Sequence, residues 1–326
     1  MGTYRVYYDS GTTNSRAYLL DEKFNVVSLK KKNIGSKDSA IAGSNRVLIE
    51  GLYELYRAVL EEAGLEDGDI AEIYASGMIT TPYGLHEVPH LIVPLSVKEF
   101  ADKVYPFFEE TMFKRTIYLV PGLKTLNEDF SFAGNMRGEE IEILGTLDEL
   151  SEMGIRNAAL MMPGSHTHIA RIKNDTVEDI LSNIAGELFY ALQKETILSP
   201  IIDREPMPLE EHMVKMAVEN LERFGFNRAL YIVHAMRIMD KYTEAERYSY
   251  CEGVVNGGLR QSLEYYLENI WKDCDTLVLV SNSFMHELFS MIFDGSSCVK
   301  NLVWLPTDRD KCYAVQGLRK IIESKN

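Results

Sequence analysis

Cysteine is scarce in this 326-residue chain: Cys251, Cys274, Cys298 and Cys312 are all there is. None forms a CxxC pair, and no histidine stands at a metal-ligand spacing from them. A disulfide framework or zinc site is therefore not expected, and reduced, mostly buried thiols are. Also absent are a GxxxxGK[ST] loop and a GxGxxG between a strand and a helix, which counts against phosphate-loop NTPases and dinucleotide-binding domains. Positive charge is in short supply, with 34 Lys and Arg against 49 Asp and Glu and a net charge of -15. Such a surface repels nucleic acid and anionic membranes. An anionic substrate would need local help from Arg, backbone N–H groups or Mg²⁺. No apolar run approaches membrane-spanning length, and the N-terminus has no signal-peptide core. These absences predict a cytoplasmic protein with neither nucleic acid nor membrane as partner.

What is present fits a globular α/β chain, with 46% hydrophobic residues. "YRVYY", "SRAYLL" and "FNVVSL" predict three strands, broken at "DSGT" and "DEK". "NRVLIEGLYELYRAVLEEAG" places Val47, Leu48, Leu52, Leu55, Val59 and Leu60 on one helical stripe that ends at Gly64. "IAEIYASGM" reads as a buried strand running into a loop, and "ITTPYGLHEVPHLIVPLS", with three prolines, cannot be helix. Its apolar content argues for an ordered, functional loop. Around residue 157 the opening logic returns in "NAALMMPGSHTHIARIKND". A helix is predicted over "VEDILSNIAGELFYALQKETIL", with Leu181, Ile184, Leu188 and Leu192 on one face. Three more helices are predicted in "LEEHMVKMAVENLERFG", "GGLRQSLEYYLENIW" and "CYAVQGLRKIIES", and "TLVLVSNSFMHELFSMIF" predicts strand, turn, helix.

Three stretches could carry chemistry. In "DSGTT", Asp9 could hold Mg²⁺ directly or through water, while Gly11, Thr12 and Thr13 offer close backbone approach, N–H groups and hydroxyls to a phosphate. A plain Asx hairpin turn accounts for the same residues. "PGSHT", Pro163 to Thr167, repeats these ingredients, and the pair could clamp a polyphosphate in an interdomain cleft. In "NMRGEEIEILG", Arg137 has the fork suited to a carboxylate or phosphate, and Glu139 or Glu140 could take a proton from an attacking hydroxyl. On chemistry alone, an exposed helix start with Glu residues at its positive end is the better reading of that stretch.

Taken together, the motifs resemble the 2-dehydro-3-deoxygalactonokinases of the sugar kinase, Hsp70 and actin superfamily. "DSGTTNSR" at 9–16 is similar to "DWGTTNLR", residues 77–94 to "GMIGSRQGWxExPYxxxP", and "MRGEEIEILG" at 136–145 to "MRGEETQxxG". Pro121 to Leu123 match "PGL", "MPGSHTHI" is similar to "LPGTHSKW", and "AGELFYALQKETIL" to "TGELFxLLxxHSIL". The resemblance implies two ribonuclease-H-like domains around a nucleotide cleft, expected at 1–120 and 121–326, with the last helix packing back on the first domain. It also implies an ATP- and Mg²⁺-dependent kinase acting on the terminal hydroxyl of 2-dehydro-3-deoxygalactonate, in galactonate degradation.

In that picture Asp9, Glu139 and Glu140 are catalytic candidates, with Glu139 preferred as base. Gly11, Thr12, Thr13, Gly164, Ser165, His166, Thr167, Gly258 and Ser281 would bind ATP and its phosphates. Arg16, Met78, Glu87, His90, Arg137 and Glu187 would meet the sugar acid, and a homodimer stays open. The chain departs from the pattern at Pro82 (Arg in the motif), Leu85 (Trp), His90 (Tyr), His168 (Lys) and Ala185 (Thr). The lost Arg and Lys leave the sugar acid itself undetermined. A phosphohydrolase of the same fold and a nucleotide-binding sensor are the competing readings.

Overall fold

A computed structural model describes residues 3–202, 205–307 and 312–325. The chain forms two compact units: residues 1–156, 174–180 and 312–326 make the first, and 157–173 with 181–311 the second. This division comes later in the chain than residue 120, so 121–156 go with the first unit, as does the final helix.

The first unit is built on a six-stranded sheet in the order Val26–Lys32, Ser15–Leu20, Tyr4–Ser10, Ile70–Gly77, Arg115–Leu119, Tyr105–Glu109. The first three strands form an antiparallel meander, and Ile70–Gly77 returns parallel to Tyr4–Ser10. Parallel return requires a crossover, which the helix Arg46–Ala63 supplies. That helix adds Leu48, Leu52, Leu55 and Val59 to the cluster containing Val6, Tyr8, Ala17, Leu19 and Ile73 of the sheet. Each such side chain contributes about 1.5–3 kcal/mol by leaving water. Leu91–Ile92, Leu123–Lys124 and Asn135–Met136 make a separate three-stranded sheet beside the long loop.

Two helices of this unit, Glu139–Glu152 and Tyr313–Ser324, cross with their backbones almost touching. A Cβ on Gly145 would fall 1.9 Å from the Tyr313 carbonyl oxygen, and one on Gly317 would fall 1.7 Å from that of Ile141. Only glycine permits this approach. The contact anchors the last helix on the helix that carries Glu139 and Glu140.

The second unit repeats the topology. Its sheet runs Asn301–Pro306, Thr276–Ser281, Asn157–Met162, Thr167–Lys173, then Thr176–Asn183, whose last residues belong to this unit. Asn157–Met162 pairs antiparallel with Thr167–Lys173 and parallel with Thr276–Ser281. Both units are thus ribonuclease-H-like, as in the actin-like ATPase fold. The helix expected from Val177 onward begins only at Ala185, and Thr176–Asn183 is a strand. Asn174, at φ 54°, turns the chain, and Val177 and Ile180 are buried within the strand Thr176–Asn183. Tertiary pairing overrides the helical spacing of Leu181 and Ile184.

Candidate active site

In the first unit the site grows from the end of the first hairpin. Asp9 and Arg16 are cross-strand partners, and the guanidinium donates to the Asp9 carboxylate at 2.6 Å. Gly11 N–H donates to Asn14 O at 2.8 Å and closes the turn. Its carbonyl side is fixed from behind, because Ser36 N–H donates to Gly11 O and Lys37 N–H to Thr12 O. A trans peptide points its N–H opposite to its carbonyl, so the N–H groups of Thr12 and Thr13 aim away from that anchor. Thr12 and Thr13 are exposed. The turn therefore combines N–H donors that have no partner among the described residues with an adjacent carboxylate, which suits a phosphate and its cation.

The helix Glu139–Glu152 brings three acids to the same region. Glu140 is fully buried and accepts the Gly138 N–H at 2.7 Å, and burial with the Glu139 charge raises its carboxyl to about 8. A carboxyl so placed is protonated at neutral pH and shapes the turn before the helix. Glu139 remains half-buried. Glu142 is the acid that sequence reasoning missed. Burial, then Asp9, then Glu139 push it up to about 7, while Arg16 opposes. It stands one helical turn after Glu139, on the same face, and the i, i+3 spacing was the available signal. It replaces the Gln of the resembling motif. Cys312, whose thiol burial pushes up, hydrogen-bonds Tyr18 in this neighbourhood.

Arg137 is engaged with the loop from 78 to 94. It donates to Thr80 O at 2.9 Å, to Thr80 Oγ1, to Val88 O at 3.1 Å and to His90 Nδ1 at 3.0 Å. Four of its five donors are thereby used on the loop from 78 to 94, which it staples. Because Arg only donates, His90 Nδ1 must accept, so the neutral ring carries its proton on Nε2. Burial, then the charges of Arg137 and Lys124, lower His90 to about 4 and keep it neutral. Met78 is half-buried and Glu87 exposed on the same loop.

In the second unit the turn after Asn157–Met162 exposes Gly164, Ser165 and His166. Thr167 is buried inside the next strand. Glu187, in the first turn of the helix Ala185–Glu195, donates its N–H to Ser165 O at 2.7 Å and holds His166 Nε2 at 3.0 Å. His168 is buried against Ser182, 3.0 Å away, and burial lowers it to about 4, so it offers no cation where the motif has Lys. Gly258 lies half-buried on the helix Glu244–Asn269. Ser281 is buried at the end of its strand, with its hydroxyl on Asn282 O. Among the described residues no group of three or more His, Cys, Asp or Glu is arranged to hold a metal, and no helix is long and apolar enough to cross a membrane.

The chain is 28% identical over 196 residues to a Rhizobium meliloti (strain 1021) protein provisionally named 2-dehydro-3-deoxygalactonokinase DgoK1. The match covers 60% of this chain and spans 58% of that relative's length. A crystal structure of a Sinorhizobium meliloti protein provisionally described as a 2-dehydro-3-deoxygalactonokinase superposes with a TM-score of 0.76, covering 98% of both chains at 20% identity. That likeness shows a shared fold. The model of the 2-keto-3-deoxy-galactonokinase family matches residues 9–319, and the chain belongs to that family.

Proposed function

We propose that the chain is an ATP-dependent kinase that phosphorylates the terminal hydroxyl of 2-dehydro-3-deoxygalactonate or a related sugar acid. The observation that carries this reading, beside the family, is the grouping of Asp9, Arg16 and Glu139 with a turn whose N–H groups point outward. Phosphoryl transfer needs mainly positioning and charge neutralisation, and this grouping can supply both.

Mg²⁺ fits the residues present. Asp9 and Glu142 bring hard oxygen donors into mutual electrostatic reach, with Arg16 beside them, and Mg²⁺ commonly takes one or two carboxylates plus substrate phosphates. When bound it neutralises charge on the transferring phosphoryl group. Asp9 is the residue to hold it, directly or through water. Glu139 takes the proton of the acceptor hydroxyl; Glu140, neutral and buried, positions the turn. In the second unit, Gly164, Ser165 and His166 contact ATP phosphates, with Glu187 orienting His166. Gly258 and Ser281 mark the nucleoside side by their place in the fold.

The test is ADP release with Mg²⁺-ATP, with and without 2-dehydro-3-deoxygalactonate, other 2-keto-3-deoxy acids, aldonates and neutral sugars. Strong stimulation by a 2-keto-3-deoxy acid is expected. Turnover independent of any acceptor would replace this reading with a phosphohydrolase, and nucleotide binding without turnover would replace it with a sensor.

A further inference from the structure

If the acceptor is a sugar acid, its carboxylate needs partners, and this chain lacks two cations of the resembling motifs, with Pro82 for Arg and His168 for Lys. The small sheet of the first unit offers a substitute. Leu91 pairs with Leu123 in parallel register, and Leu123 pairs with Met136 in antiparallel register. One residue outward, His90, Gly122 and Arg137 therefore form a row, and Ile92, Lys124 and Asn135 form the row two residues along. Side chains alternate along a strand, so these two rows share a face, while Leu123 is buried on the other.

Contacts confirm the first row. Arg137 reaches His90 Nδ1 at 3.0 Å, and Leu91 N–H donates to Gly122 O at 2.9 Å. Gly122 is bare by necessity: a Cβ there would stand 2.8 Å from His90 Cδ2, 3.2 Å from Nε2 and 2.6 Å from the Met136 carbonyl oxygen. Arg137 fixes the His90 tautomer, so Nε2 is a donor, yet that nitrogen is buried with no hydrogen-bond partner among the described residues. An orphaned buried donor is costly, and the cost is recovered when an acceptor arrives. Lys124 completes the face. Its side chain is exposed and makes no ion pair or hydrogen bond among the described residues, and its charge is felt at the His90 ring.

We propose that this face, with Lys124 as cation and His90 Nε2–H as neutral donor beside the bare Gly122, takes the carboxylate of the sugar-acid acceptor. The proposal rests on the sugar-acid kinase reading. Arg137 stays behind His90 as a positioning residue, while Lys124 sets specificity for an acid over a neutral sugar.

The experiment pairs calorimetric binding of 2-dehydro-3-deoxygalactonate and of neutral 2-deoxygalactose with steady-state kinetics, in wild type, Lys124→Gln and Lys124→Arg. Loss of one hydrogen bond to a charged group predicts at least about a tenfold weaker Kd and higher KM for the acid in Lys124→Gln. The KM for ATP and kcat are expected to hold, with recovery in Lys124→Arg and little change for the neutral sugar. A His90→Phe variant should weaken acid binding as well. Equal acid binding by wild type and Lys124→Gln overturns the proposal. So does a wild type that turns over neutral sugars and does not bind the acid, which would leave the kinase itself standing. Acid binding that depends on Lys124 in a protein with no acceptor turnover supports the subsite and overturns the kinase reading instead.

Discussion

Replacing Arg137 with Lys keeps the charge and removes the fork, which makes it a sharp test of the staple. Arg137 spans Thr80 on one side and Val88 with His90 on the other. A lysine ammonium is a point donor and can serve one side only. Retaining Thr80 leaves Val88 O and His90 Nδ1 without a donor, and each orphaned group costs about 1–3 kcal/mol. The loop from 78 to 94 should thus lose about 2–6 kcal/mol against local opening. Three amides report on that opening: Gly84 N–H on Thr81 O, Leu85 N–H on Ile79 O and Val88 N–H on Thr80 O. Native-state hydrogen exchange at these amides should accelerate by about 30- to 20,000-fold at 1.4 kcal/mol per decade, with amides of Asn157–Met162 unchanged. The acceptor KM should rise with it, because His90 loses its fixed tautomer. Unchanged exchange at Leu85 and Val88 would refute the staple, whatever happened to activity.

Other consequences can be checked as directly. Glu252 is buried, with Tyr248 OH and Asn256 Nδ2 donating at 2.8 Å each, and burial raises it to about 7 from an ordinary 4.5. The folded state then holds a proton that the unfolded state releases, so this group removes stability as pH climbs from about 4.5 to about 7. Relative to wild type, Glu252→Gln should gain about 2.5 kcal/mol more at pH 8 than at pH 5. Urea unfolding at the two pH values measures it, and a difference near zero or of opposite sign defeats the argument. Gly317→Ala would place a methyl against the Ile141 carbonyl and should destabilise by about 3 kcal/mol or more; an unshifted melting temperature would contradict the close helix crossing. Glu139→Gln should lower kcat by about 10²- to 10⁴-fold. Glu140→Gln should lower it far less, since Glu140 is already neutral at pH 7. Equal losses from the two variants would move the base elsewhere.

What the chain discloses before folding follows from the range of the interactions involved. The two hairpin-led halves were legible because β-branched runs and turn residues lie next to each other in sequence. The phosphate-type turns were legible as turns for the same reason. The hold of Arg137 on the loop was not legible because its partners lie 57, 49 and 47 residues away, and nothing near "MRG" shows that a loop will come to it. The helix predicted from Val177 failed because Ile180 is claimed by a sheet that the local spacing does not see. Two-residue strands have no period to detect, so the sheet of Leu91–Ile92, Leu123–Lys124 and Asn135–Met136 was invisible, and with it the alignment of His90 and Lys124. These failures are alike in one respect: each concerns residues whose partners are set by tertiary packing and not by their neighbours in sequence. The residues that resemble the family motif carry the family assignment. Those that depart from it, Glu142, His90 and Pro82 among them, acquire meaning only from their folded neighbours. It is therefore at Lys124 and His90, where the fold supplies a face the motif does not announce, that this chain's choice of acceptor should be decided.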